Sequence, residues 1–192
     1  LVRDPQKPEA KALLAEGADE LVPFAFGSSL ASAVRGAYAV VSTVQGGPDV
    51  IIDGQLALLR AARDAGARRF FPSDYSYNLF ALPEGININS DWRRTFADRA
   101  AKEAGSVEVV HVLQGIFTDI NVLGFLGAFD REQNIVRYWG DGTTPIDWTT
   151  WEDTARFIAA AAVDERPVPS QLFVAGDRMS ILDFAAAIEK AR

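Results

Sequence analysis

Short apolar runs alternate with stretches whose apolar residues recur at helical spacing, and this alternation predicts βαβ units around a parallel sheet. Leu1-Val2 reads as the stub of a strand. Pro8 to Gly17 reads as a helix, with Ala10, Leu13 and Leu14 on one face, Pro8 in its first turn and Gly17 at its end. Glu20 to Phe26 is the next expected strand, Leu30 to Val34 a single helical turn, and Ala37 to Val44 a buried strand rich in valine. After the loop Gln45-Gly46-Gly47-Pro48, a helix is expected from Val50 to Ala65, burying Ile51, Ile52, Leu56, Leu59 and Ala62 and stopping at Gly66.

Arg68 to Pro72 returns as a strand, followed by a polar and aromatic loop through Asn89. Ser90 is the expected cap of a helix that runs to Ala104 and ends at Gly105. Glu108 to Leu113 reads as one strand, whereas the glycine-spaced stretch from Gly115 to Phe129 resists assignment. Strands at Ile135 to Trp139, Pro145 to Trp148 and Gln171 to Ala175, with helices at Glu152 to Val163 and Ile181 to Lys190, complete the pattern.

Composition narrows what such a domain can do. With 19 Lys and Arg against 26 Asp and Glu, the net charge of -7 disfavours a broad phosphate-tracking surface, so no direct nucleic-acid partner is expected. A pocket for one small anion stays compatible with that balance. The absence of cysteine excludes disulfides and thiolate chemistry and suits a reducing cytoplasm. One histidine, His111, excludes multi-histidine metal sites and, lying between apolar neighbours, reads most simply as structural. No apolar run approaches the ~18 residues of a membrane span. A start of two apolar residues and a turn signal, without Met, reads as the end of a strand cut from its beginning.

The stretch with the strongest chemical content is Arg68-Arg69-Phe70-Phe71-Pro72-Ser73-Asp74-Tyr75, a strand that delivers Ser, Asp and Tyr at its carboxyl end. In open α/β sheets ligands bind outside that end of the strands. The segment extends upstream through Asp53-Gly54-Gln55-Leu56 and the alanine-rich turn Ala61 to Ala67, and together these resemble the NmrA-like and isoflavone-reductase-like atypical short-chain dehydrogenases. Leu1-Val2-Arg3, Ala33 to Ser42, Gly115 with Phe117, Asp153-Thr154-Ala155-Arg156 and Ser180 match that family's pattern as well.

The resemblance implies a Rossmann-like doubly wound parallel sheet whose first strand and glycine-rich pyrophosphate turn lie upstream of Leu1. It implies a partial dinucleotide-binding domain over residues 1–115 and a substrate-side region over 116–192, interleaved with the end of the sheet. A fragment without its central first strand is expected to be poorly stable alone. The implied cofactor is NADP, with NAD the second choice, and the implied partner is a small substrate, aromatic ones included. Arg3 would take the 2′-phosphate, its plainer reading being a solvated arginine beside Asp4. Thr43, Gln45 and Gly46 would approach the cofactor, or simply form a strand-to-helix loop. Ser73, Asp74, Tyr75 and Tyr77 would meet nicotinamide and substrate, or form a polar loop on the core.

Three departures stand out against the family pattern. The glycine-rich turn is not within these residues, and Val22 to Gly27 lacks the acidic residue often found there. Trp92 aligns with the lysine of isoflavone-reductase-like enzymes, leaving Arg93 and Arg94 as the nearest cations, expected in a helix's first turn where the macrodipole disfavours them. Arg93 could steady an anion but not exchange a proton near neutral pH. Leu79 and Ala81 stand where a lysine would follow Tyr75 or Tyr77 in a tyrosine-lysine pair. These absences favour, as an alternative, an NAD(P)-sensing regulator that acts through a protein partner, and they weaken a third reading, a sugar-nucleotide epimerase.

Overall fold

In the computed structural model, which describes residues 1–23 and 30–191, the Leu1-Val2 stub finds its strand partner: Val2 bridges Pro23 in parallel. The rest of the expected second strand, Phe24 to Phe26, lies outside the described residues, as does most of the segment judged to lack an acidic residue. Helix α1 (Pro8–Ala15) starts on its proline as expected, with Glu9 in the first turn. Its expected apolar face is not buried, however, and Leu13 and Leu14 stay 41% and 45% exposed.

The chain divides into two units, the first formed by Leu1–Ser73 with Asn87–Val109 and the second by Asp74–Ile86 with Val110–Arg192. The first unit continues with α2 (Leu30–Ala33), β1 (Ala39–Val41), a π-helical turn (Asp49–Gly54) that merges into α3 (Gln55–Asp64), β2 (Arg69–Phe71), α4 (Ile88–Glu103) and β3 (Glu108–Val109). Strands β1, β2 and β3 form a parallel sheet in that order, with Val40 beside Phe70 and Phe70 beside Val109. Ser42 N–H donates to the Phe71 carbonyl at 2.8 Å, carrying the ladder to the carboxyl end.

Leu56, Leu59 and Ala62 of α3 pack with Phe70 of β2 and Phe96 of α4, the two rings 6.2 Å apart. Burial of each large apolar side chain contributes roughly 1.5–3 kcal/mol. Helix α4 is capped by Asn87 rather than Ser90: the Asn87 side chain accepts from Ser90 N–H at 3.1 Å. An asparagine in extended conformation satisfies that orphan donor three residues on. Arg93 and Arg94 consequently lie beyond the first turn, and the expected clash with the helix dipole does not arise.

The expected strand Glu108 to Leu113 is divided at Val110, because β3 pairs with β2 whereas β4 (His111–Leu113) pairs in parallel with a later strand of the second unit. That unit contains a 3-10 turn (Leu79–Ala81), β4, β5 (Ile116–Phe117), α5 (Ile120–Phe125), β6 (Phe129–Asp130), β7 (Ile135–Val136), β8 (Ile146–Thr149), α6 (Trp151–Val163), β9 (Gln171–Phe173), β10 (Asp177–Met179) and α7 (Ile181–Lys190). Strands β4 and β9 are parallel, β5 and β8 are parallel, and β10 and the hairpin β6–β7 add antiparallel pairs. The unassigned stretch after Gly115 is thus a strand, a short helix and the first strand of a hairpin.

Gly115 has φ +80°, and a Cβ there would lie 2.0 Å from the Asp147 carbonyl oxygen, so this corner admits only glycine. Trp148 anchors the second core, stacked on Phe184 at 4.7 Å with its indole N–H on the Met179 carbonyl. The architecture is α/β with parallel sheets, as the alternation of strand and helix patterns predicts.

Candidate functional site

Ser73 directly follows the last paired strand residues and Pro72, and its backbone is fixed from two sides. Its N–H donates to Gln55 Oε1 at 2.7 Å, and its carbonyl accepts from Arg93 Nε at 3.0 Å. Gln55 is completely buried and donates in turn to the Ile51 carbonyl at 2.8 Å. The π-helical turn at the start of α3 therefore meets the end of β2 through one amide side chain, a placement typical of functional sites. Arg93 also donates to the Asn89 carbonyl at 3.0 Å, so its guanidinium is held over the strand end by backbone oxygens. Arg94 instead pairs with Asp91.

Thr43, Gln45 and Gly46 lie in the loop that follows β1, all three exposed. Arg3 is exposed just after the Val2 bridge. Among the described residues, no hydrogen bond joins Arg3 to the β1 loop or to Ser73. The structure thus brings Ser73 and Arg93 into contact and leaves Arg3, Thr43, Gln45 and Gly46 open toward solvent within the first unit.

In the second unit, Asp74 turns to a partner that the sequence reading treated as structural. Its Oδ2 lies 2.6 Å from His111 Nδ1, with the Asp74 side chain fully buried and that of His111 9% exposed. Phe80 meets the imidazole edge-on at 5.0 Å. Tyr75 adopts φ +30°, a conformation rare for a non-glycine residue, and such strain is concentrated at functional sites. Burial, and then the Asp74 charge, raise the Tyr75 phenol far above its ordinary value of 10.0. It therefore stays protonated at neutral pH.

Past β4, Gln114 is fully buried, with its Oε1 lacking a hydrogen-bond partner among the described residues and its carbonyl accepting from Thr149 Oγ1 at 2.6 Å. The same unit encloses an apolar cavity of about 310 Å³ walled by Ile116, Leu123, Ile146 and Trp148, with Arg137 and the 90% exposed Trp139 among its lining. Trp148 belongs to both the second core and the cavity wall, and Trp139 lines the cavity. No helix among the described residues is long and apolar enough to cross a membrane.

Comparison with known proteins gives a coherent result. The model of the NmrA-like family matches residues 1–192. Among solved structures, AtPrR2 with NADP+ and (+)pinoresinol superposes with a TM-score of 0.72 at 23% identity, over 95% of this chain and 62% of that one. A structure from work on pinoresinol-lariciresinol and phenylcoumaran benzylic ether reductases gives 0.73 at 18% identity, over 96% and 62%. A ternary complex of leucoanthocyanidin reductase from Vitis vinifera gives 0.70 at 19%, over 95% and 63%. The chain therefore spans less than two thirds of the length of these proteins, with which it shares a Rossmann-type α/β fold. No curated protein matches it in sequence.

Proposed function

The chain belongs to the NmrA-like family, and from that premise we propose that it carries the dinucleotide-binding and reacting parts of an NADP(H)-dependent reductase acting on a small aromatic substrate. The observation that carries this reading is the carboxyl edge of the β1–β2 pair. Exposed Thr43, Gln45 and Gly46 follow one strand, and Ser73, locked by Gln55 and Arg93, follows its parallel neighbour. Ligands of open α/β sheets bind at such an edge.

The donor set fits a dinucleotide. Thr43 and Gln45 offer neutral hydrogen-bonding groups for the nicotinamide side, Gly46 permits close backbone approach, and Arg3 offers a guanidinium for a 2′-phosphate. NADP+ in the AtPrR2 structure supports NADP as the first choice and NAD as the second. When bound, the cofactor supplies a hydride. The chain's own residues do the rest: Ser73, Asp74 and Tyr75 form the reacting end, and Arg93 fixes the Ser73 carbonyl and adds positive potential where an anion develops. Residues 1–115 would serve the cofactor and 116–192 the substrate, whose aromatic character is supported by the apolar cavity beside Trp148.

A second reading is an NAD(P)-sensing regulator that passes its state to a protein partner. Trp92 at the lysine's place, with a Tyr75 phenol that burial keeps protonated, favours it.

Calorimetry of the full-length protein with NADP+ and NAD+, alongside NADPH oxidation over a panel of carbonyls and quinones, separates the two. NADP+ is expected to bind more tightly than NAD+. Arg3→Ala is expected to weaken NADP+ about tenfold, ~1.4 kcal/mol, and to leave NAD+ unchanged. Turnover supports the reductase, and tight binding without turnover points to the sensor. Failure to bind either dinucleotide overturns both.

A further inference from the structure

We propose that Gln55 is a positioning residue for the dinucleotide: it holds the loop after β1 and the end of β2 in register and leaves the Ser73 hydroxyl as the group of that residue that meets the cofactor. The inference rests on the dinucleotide-binding reading above and deepens it by naming what holds that site together.

The carboxyl edge of the β1–β2 pair is spanned by one chain of hydrogen bonds. Gly47, in the loop after β1, accepts at its carbonyl from Val50 N–H at 3.1 Å and from Ile51 N–H at 2.9 Å. The Ile51 carbonyl accepts from Gln55 Nε2 at 2.8 Å, Gln55 Oε1 accepts from Ser73 N–H at 2.7 Å, and the Ser73 carbonyl accepts from Arg93 Nε at 3.0 Å. Gly46 closes on the same turn, since a Cβ there would lie 2.8 Å from the Val50 side chain. Every member belongs to the first unit. The chain of bonds thus joins the loop that follows one strand to the residue that follows its neighbour, and Gln55 is the middle link.

That link needs a neutral side chain that donates at one atom and accepts at another. A carboxylate only accepts and would set its charge against the Ile51 carbonyl, and an aliphatic side chain does neither. Burial alone does not ask for an amide here, because Leu56, Leu58 and Leu59 beside it fill the same core with aliphatic groups. Gln55 is completely buried, so its loss strands the Ser73 N–H away from water. A buried polar network with its members paired rigidifies what it joins.

Ser73 shows what the network serves. Its N–H is taken by Gln55 and its carbonyl is covered by Arg93. Its hydroxyl, by contrast, has no hydrogen-bond partner among the described residues and is not among the sealed polar atoms that lack one. A hydroxyl both donates and accepts, which suits the neutral polar groups of the nicotinamide half of a dinucleotide. With both backbone groups held, it is presented at the carboxyl end of β2, where ligands of open sheets bind. Such preorganisation lowers the ordering cost of binding.

Calorimetry of the full-length protein with NADP+ and NAD+ tests the assignment. Ser73→Ala is expected to weaken both dinucleotides by the same factor, about tenfold, because the 2′-phosphate is assigned to neither Ser73 nor Gln55. Gln55→Met, which keeps the side-chain length and removes both bonds, is expected to weaken both alike. Gln55→Glu keeps an acceptor for the Ser73 N–H and is expected to bind more tightly than Gln55→Met. Combining Gln55→Met with Ser73→Ala should cost less than the product of the single losses, since both act through one hydroxyl. Phe96→Leu, a core change on α4, is expected to lower the melting temperature and bind as wild type, which separates positioning from stability. Wild-type affinity in Gln55→Met, the reverse order of the two Gln55 variants, or single losses that multiply in the double variant overturns the positioning role and leaves the dinucleotide reading standing. Wild-type affinity in Ser73→Ala does the same, even where Gln55→Met does not fold. A wild-type protein that binds neither dinucleotide overturns that reading, and the positioning role with it.

Discussion

Arg69 places a guanidinium with no exposed surface inside the first unit's parallel sheet. Its Nε lies 2.5 Å from Glu108 Oε2 across the register of β2 and β3. Hydrogen bonds to charged groups contribute about 1.5–3 kcal/mol. Because Glu108 is itself about one third exposed, Glu108→Ala is expected at the lower end, about 1.5 kcal/mol, measured by urea denaturation. Locally Arg69 reads only as half of a basic pair, since nothing nearby says that a carboxylate 39 residues on will meet it. The same limit applies at the candidate site. Ser73 was legible from its place after a strand, but Gln55 and His111 were not, because Gln55 reaches Ser73 over 18 residues and His111 reaches Asp74 over 37.

Elements with local signals were read well. Helix α7 opens on Ser180 and is closed by a capping box, Ser180 accepting from Asp183 N–H at 3.1 Å and Asp183 accepting from Ser180 N–H at 3.0 Å. Ser180→Ala is expected to cost about 1 kcal/mol, read as a lower midpoint in denaturant. The Ser180 hydroxyl and N–H hold the Asp183 carboxyl below its ordinary value of 3.8. A depressed carboxylate contributes stability that is fully present above its unfolded value and is lost as pH falls through the folded one. Acid melts should therefore show this contribution disappearing below pH 3.8, and in the Ser180→Ala protein, which keeps the backbone N–H, that step should be smaller. Elements whose bounds depend on partners were read less well. The strand from Glu108 to Leu113 is continuous in apolar pattern and divided only because β3 and β4 have different neighbours. The cap of α4 moved to Asn87 because asparagine and serine both suit the position, and only backbone conformation chooses between them.

At the scale of the molecule the described residues form two separate buried clusters, one around Leu56, Phe70 and Phe96 and one around Leu123, Trp148 and Phe184. Trp148→Ala removes a stacked, fully buried indole and is expected to cost about 3–5 kcal/mol. Hydrogen exchange should show protection lost first at amides of β8, β10 and α7, with those of α3 and β2 changed least; equal loss in both clusters would contradict separate cores. The chain leaves the first unit after Ser73, returns at Asn87 and leaves again after Val109, a path that no composition shift announces. Sequence by itself determined the α/β class, most strand and helix positions, the family pattern and the Ser73-to-Tyr75 segment, because periodicity and turn chemistry act between residues a few positions apart. Only the tertiary structure decided the Gln55–Ser73–Arg93 lock, the Asp74–His111 pair, the cavity beside Trp148 and the split of one apolar run between two sheets, because each depends on which distant backbone comes to lie beside it.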